Sequence, residues 1–572
     1  MRKEASAMVR SACLAVALSS AVTQLNAQEL PFGTSGFYLA ARHASAENDY
    51  KAAVRFYTEA LARDPANHAH MENAMSAHLA LGQYRQAKDL GARMLERGSK
   101  SQIAQMAVIS QNALDGKYGE LVETFEAGTR VGPLVDGLLE AWAHVGNGDL
   151  EAGLAAFDAI GARQGLRAFA LHHKALALAS AGDFEGAEAI FSGADGGTLP
   201  DNRRGLIAYV MVLSQLDRND EARAAIARVM GTALDATLTD LDRRLSEDEK
   251  LEFTMVSDPA HGMAEVFYTV AAALDGEASD SYALLYSRVA ESLNPAHVDA
   301  LLLSAGYLER LERPELATAT YDRVPRDAPE FITAEIGRAD ALRASGRPDA
   351  AVEVLMQLAE SYPGISAIHS KLGDTLRRSE NYSDAIEAYD AAMALKGEVA
   401  PSDWFSFFAR GISHEREGNW TEAEADFRMA LELRPNQPQV LNYLGYSLVE
   451  KRIKLGEALE LIQTAAKLRP DNGHILDSLG WVLYRLGRFD EAVAPMETAV
   501  ELMATDPVIN DHLGDVYWSV GRHTEAHFQW HRALSFNPEP KEAERIRRKI
   551  DVGLDVVIAE EGMEPLAVAE DG

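Results

Sequence analysis

HSKLGDTL (369–376), LNYLGYSL (441–448), LDSLGWVL (476–483) and NDHLGDVY (510–517) align on a glycine, at Gly373, Gly445, Gly480 and Gly514. The last three glycines lie 35 and 34 residues apart, and the agreement extends beyond the quoted stretches. Twelve residues after the glycine comes alanine, at Ala385, Ala492 and Ala526, with Ala458 one residue late. Four residues further stands a large side chain (Tyr389, Met496, Trp530), and three beyond that another alanine (Ala392, Ala499, Ala533). Proline closes the unit at Pro470 and Pro538. Small residues let two helices approach closely while large ones fill the remaining gaps. Proline cannot continue the second helix, so it marks the start of the next unit. Turn signals fall between the two helices, as in Gly418-Asn-Trp, Gly487-Arg-Phe and Gly521-Arg-His.

This pattern resembles the tetratricopeptide repeat, with its Leu-Gly, Tyr, Ala, Phe/Tyr, Ala and Pro positions. The resemblance implies an all-α, right-handed α-solenoid of about 14 helix-turn-helix units. Extended outward, the period gives a degenerate block over 34–236, marked by Tyr50, Ala53, Tyr57, Ala60 and Pro65 and then more faintly by Phe157, Phe184 and Ala187. The charged run DLDRRLSEDEKLE and the turn-like SDPAHG break the period, so 237–263 reads as an insertion or linker. A second block runs over 264–538, with strong units from Ser366 onward. The segment 539–551 reads as a capping helix, with Ala543, Ile546 and Ile550 on one face and Arg545, Arg547, Arg548 and Lys549 opposite. The acidic tail 552–572 is expected to fray.

The first thirty residues carry an address. Arg2, Lys3 and Arg10 precede the small, apolar stretch Ser11–Val22, and TQLNA (23–27) turns polar. That order reads as a secretory signal peptide over 1–27. Cleavage falls after Ala27 or, with Ser19 upstream, after Ala21. Twelve helical residues reach about 18 Å, short of a hydrocarbon core of about 30 Å. No later segment is apolar enough to span a membrane as a helix. The expected compartment is the periplasm, and the last units also resemble exported multi-repeat proteins of this family in Gram-negative bacteria.

The chain of 572 residues holds 55 Lys+Arg against 87 Asp+Glu, a formal charge of −32. Such a surface repels the phosphate backbone, so nucleic acid is not the expected partner. Cys13 is the single cysteine, which rules out a disulfide framework and Cys-ligated zinc. His523, His527 and His531 share one helix face at metal-pair spacing, but HTEAH is not the His-Glu-x-x-His of a zinc protease, and a solvated, partly packed row is the expected reading. Gly146-Asn-Gly148 lacks the strand and the later glycine of a nucleotide site. No catalytic residue, cofactor or metal is therefore expected. The functional expectation is a non-catalytic scaffold for a protein or peptide of the cell envelope. The competing reading is a metal-dependent or glycan-processing enzyme that uses the repeats as support.

The resemblance also implies where a partner would lie. In such repeats the first helix of each unit lines the concave groove, through its positions 2, 5, 9 and 12. Here these are Gln439, Asn442, Tyr446 and Val449; His474, Asp477, Trp481 and Tyr484; and Val508, Asp511, Asp515 and Trp518. The expected groove is thus an aromatic stripe of Tyr446, Trp481, Tyr484 and Trp518 beside an acidic row of Asp477, Asp511 and Asp515, with Asn442 at its start. It departs from the family's carboxylate clamps, which carry Lys, Arg and Asn at such positions. An extended partner segment with basic and apolar side chains is expected.

Overall fold

The computed structural model describes residues 34–128, 131–193, 202–229 and 236–562. The signal-peptide reading of 1–27 and the last ten residues of the acidic tail lie outside them. Among the described residues there are 31 α-helices, one short 3-10 turn and no strand, and successive helices pack as adjacent pairs. The chain divides into two compact units, residues 1–354 and 355–572.

In the second unit the repeat register has a direct steric cause. A methyl group placed on Gly480 would overlap Met496, and one on Gly514 would overlap Trp530. At Gly373 and Gly411 the same methyl would stand 2.9 and 2.7 Å from the rings of Tyr389 and Phe427. In each of these four pairs the large residue follows its glycine by 16 positions, so the glycine of the first helix receives the large side chain of the second. Ala385, Ala423, Ala458, Ala492 and Ala526 are fully buried at the neighbouring contact. The late Ala458 has a simple origin. Four residues separate Pro438–Glu450 from Leu455–Leu468, against three in the next two pairs, and the partner of Gly445 is accordingly Ile462, at 17. Arg452 and Lys454 turn that longer connection with positive φ, where Gly487 and Gly521 serve the shorter ones. Two of the first helices start from side-chain caps: Asn472 Oδ1 accepts the N–H of Ile475, and Asp506 Oδ1 accepts those of Val508 and Ile509.

In the first unit the chain returns onto itself. The first helices of four consecutive repeats are His68–Ala80, Gln102–Leu114, Pro133–Gly146 and Arg167–Ser180, and each contacts Pro259–Ala273 or Asp280–Leu293. Gly262 lies so close to Trp142 that a methyl there would overlap the indole. Gln102 bridges Tyr282 and Tyr286 at 2.9 and 2.8 Å, and Arg288 Nε donates to the carbonyl of Ala80 at 3.2 Å. The stretch 237–263 is anchored at two places: Leu238, Leu241 and Leu245 of Ala236–Ser246 are buried, as are Leu251, Met255 and Val256, while residues 246–250 between them are exposed. Its charges divide between the outer face of that amphipathic helix (Asp240, Asp242, Arg243, Arg244) and the exposed turn that follows it, which explains why the sequence there reads as a linker. The division of the chain falls instead at 354/355, within the expected block 264–538.

Candidate functional site: a cleft in the second unit

The first helices Pro438–Glu450, Gly473–Arg485 and Pro507–Ser519, together with Pro540–Val552, wall a cleft of about 680 Å³. That is within the range of about 300–1,000 Å³ common for ligand clefts. Of the expected groove residues, Tyr446, Trp481, Tyr484, Asp511 and Asp515 line it, while Asn442, Asp477 and Trp518 do not.

The acidic row is already neutralised by the chain itself. Lys549, fully buried, reaches Asp511 at 2.8 Å and Asp515 at 2.7 Å. Asp515 also accepts the Trp530 indole N–H at 2.9 Å. Arg545 approaches Asp511 and Asp515 at 4.0 and 3.8 Å and is held by Glu561 at 2.8 Å. Asp477 pairs with His512 at 2.9 Å. Burial alone would lower the His512 pKa, but Asp477, Asp511 and Asp515 outweigh it and raise the value above that of an ordinary histidine. Burial pushes the Asp515 carboxyl up, against the pull of Lys549. A basic and apolar segment does satisfy these acids, as their charge requires, but the segment is the protein's own helix. The acidic row is therefore not an open feature of the cleft, and the expectation that a partner's cations meet it is corrected here.

The aromatic stripe divides in two. Trp481 is 8% exposed, stacks on Tyr484 and His512 with ring centres 4.8 and 4.0 Å away, and donates its indole N–H to Glu450 at 2.8 Å. Tyr484 is 3% exposed, and burial pushes its phenol up, as it does that of half-buried Tyr446. These rings are packed between neighbouring repeats and give the cleft a stiff wall. Trp518 belongs to the C-terminal junction: it stacks on His523 at 4.2 Å, lies under Gly553 and donates to Asp555 at 3.1 Å. His527 meets Trp518 and Trp530 edge-on, and His531 is exposed. Among the described residues no group of three or more His, Cys, Asp or Glu is arranged to hold a metal ion.

Sequence reasoning placed Lys549 and Arg545 on the solvent face of their helix, and both instead point at the acids. The signal was present. Lys549 follows Ile546 by one helical turn, and Asp511 and Asp515 form an i,i+4 pair that demands a buried cation. Val508, one of the groove positions, lines the cleft as well, and so do His512, Arg485 and Arg452, which the groove pattern does not mark. The tail expected to fray contains a short helix, Leu554–Glu560, whose Leu554 and Val557 are buried.

The tetratricopeptide-repeat family model matches residues 336–400, 371–438 and 451–507. Residues 336–438 and 451–507 thus carry tetratricopeptide repeats. A TPR repeat-containing protein of Pseudomonas aeruginosa is 29% identical over 164 residues, covering 28% of this chain and 27% of that protein. The E3 ubiquitin-protein ligase CHIP of Arabidopsis thaliana is 32% identical over 80 residues, 14% of this chain and 27% of the ligase. The chain thus spans about a quarter of the length of the curated relatives it matches. Among solved structures, the APC/C hetero-tetramer Cut9–Hcn1 aligns over 91% of this chain and 96% of its own, at 15% identity and a TM-score of 0.38.

Proposed function

We propose that this protein is a non-catalytic adaptor of the cell envelope, exported to the periplasm, that holds a partner protein in the cleft of its second unit. The observation that carries the reading is the cleft itself, walled by three consecutive first helices and still open beside the C-terminal helix. Val508 supports it: an aliphatic side chain 49% exposed inside a concave wall is free for a partner. The export half of the reading rests on the 1–27 pattern.

Capture from envelope extract by the wild-type protein and by Val508→Trp, which fills the cleft, tests the binding. A defined protein retained by the wild type and lost by the variant, at an unchanged melting temperature, is the expected result. Retention unaffected by the variant, or none at all, ends the reading. N-terminal sequencing of the protein from the periplasmic fraction tests export, and an intact Met1 in the cytosol refutes it.

A further inference from the structure

Residues 553–561 cross from the C-terminal helix Pro540–Val552 back to the last repeat. Gly553 opens the crossing at φ +88°, a conformation that side chains with a Cβ rarely adopt, and lies so close to Trp518 that a methyl there would overlap the indole. The short helix Leu554–Glu560 follows and packs chiefly on Pro540–Val552. Its hold is thin. Of its side chains only Leu554 and Val557 are buried, while Val556 stands exposed. Its polar ties include the Trp518 indole N–H to Asp555 at 3.1 Å and two ion pairs, Arg545 with Glu561 at 2.8 Å and Arg548 with Glu560 at 2.5 Å, which solvent and salt reach. Ile546 and Lys549, by contrast, are deeply buried and anchor the preceding helix on the repeats. Ile558 and Glu561 form a rim of the cleft, and the Gly553 end covers Trp518, the one aromatic of the stripe that does not line it.

We propose that residues 553–561 are a strap that lifts off the folded repeats, bares Trp518 beside the cleft, and competes with the partner for that end of the groove. The competition rests on the adaptor reading: with the strap lifted, a partner meets a groove lengthened by one aromatic side chain, and an acceptor on it can take the indole N–H that Asp555 gives up. Lifting strands no buried charge. Arg545 still faces Asp511 and Asp515, at 4.0 and 3.8 Å, while Arg548, Glu560 and Glu561 pass into water. What it exposes is the apolar surface of Leu554 and Val557, a small part of the apolar surface that the unit buries. A segment with so few buried apolar contacts opens without unfolding the rest. The apparent affinity of the lengthened groove is then scaled by the fraction of molecules whose strap is open.

The test reads the strap through a thiol. In a Cys13→Ser background an introduced cysteine is the only one. Val557→Cys places it under the strap, and Val516→Cys places it, fully buried, in the first helix Pro507–Ser519. The folded full-length chain is treated with a chromogenic disulfide reagent, and each rate is taken relative to that of the same variant unfolded in urea. The Val557 thiol should react at least about tenfold faster than the Val516 thiol, and faster still in Glu560→Gln and with added salt. Equal rates at the two sites, or a Val557 rate indifferent to both Glu560→Gln and salt, overturn the strap. Gly553→Ala drives a methyl against Trp518 and should raise the Val557 rate further. At limiting amounts it should also retain at least about threefold more of the envelope protein that the wild type captures. If Gly553→Ala unfolds, Glu560→Gln, a change at the surface, should show a smaller gain of the same kind. Retention unchanged or reduced in a variant whose strap opens overturns the competition. A slow Val557 thiol beside a captured partner sinks the strap and leaves the adaptor reading standing. A fast thiol with no protein retained by any variant sinks the adaptor reading and the competition with it.

Discussion

The two units build first helices of the same kind and then treat them in opposite ways. In the first unit, helices Pro259–Ala273 and Asp280–Leu293 lie on the first helices of four repeats and press Met263, Val266 and Phe267, all fully buried, into the core. The polar groups brought along are paired: Arg204 with Glu265, His297 with Glu265 at 3.1 Å, and Arg288 with Glu291 at 2.9 Å. In the second unit the covering element is a single helix that enters at one end. It makes a charge lock through Lys549 and leaves the aromatic wall beside it open as a cleft. A repeat groove therefore becomes core or site according to what the rest of the chain lays across it.

The largest effect should come from breaking the lock. Lys549→Met strands two buried carboxylates, and removing one partner of a buried ion pair costs about 3–5 kcal/mol. Urea unfolding should register the loss, and hydrogen exchange should place it in 507–552 while amides of 68–146 keep their protection. Adding Asp511→Asn and Asp515→Asn to Lys549→Met should restore a good part, since no buried charge then remains unpaired. A loss spread evenly over both units would break the contrast drawn here.

Overpacking probes the two kinds of contact with the same small change. Gly262→Ala drives a methyl into Trp142, where the first unit folds back on itself, and Gly514→Ala drives one into Trp530 inside a single repeat. Each should lower stability by about 1–3 kcal/mol. Thermal melts of the two variants that match the wild type would refute the close approaches.

The units should also answer pH with opposite signs. His173 is fully buried, receives the Trp142 indole N–H at 3.3 Å, and is pushed down by burial to about 3. Below about pH 6.5 the unfolded chain takes up a proton that the folded first unit refuses, so stability falls as pH falls toward 3, by at most about 1.4 kcal/mol per pH unit for this residue. His512 in the second unit is raised by Asp477. Its contribution is complete below about pH 6.5 and is lost as pH rises through its folded value. His173→Phe should flatten the acid limb by about 1 kcal/mol between pH 6 and 5, and His512→Gln should flatten the alkaline one. Urea titrations across pH 5–8 read both slopes.

Sequence reasoning reached the repeats because their cause is local. A glycine 16 residues before a bulky side chain is a packing rule visible in one dimension, and the late Ala458 is the trace of one extra turn residue. What it missed is contact between residues far apart in the chain. Nothing near Trp142 announces Gly262, and nothing near 68–146 announces that 259–293 will cover those helices. Five of the groove positions, Tyr446, Trp481, Tyr484, Asp511 and Asp515, line one cleft. They did not reveal Lys549, because the groove pattern marks positions of the first helices alone and Lys549 stands on the C-terminal helix laid beside them.

Asn442 offers the finest adjustment to this picture. The groove pattern marks it as a partner contact, yet it stands outside the cleft wall, and its Oδ1 is buried without a hydrogen-bond partner. An unsatisfied buried oxygen carries a desolvation penalty that an apolar side chain of similar shape avoids. Asn442→Leu should therefore leave stability unchanged or raise it by up to about 1 kcal/mol. It should leave capture by the cleft untouched, where Val508→Trp abolishes it. A partner that lets go of Asn442→Leu would extend the binding surface along Pro438–Glu450 beyond the cleft, and the orphaned oxygen would then be a contact held ready for that partner.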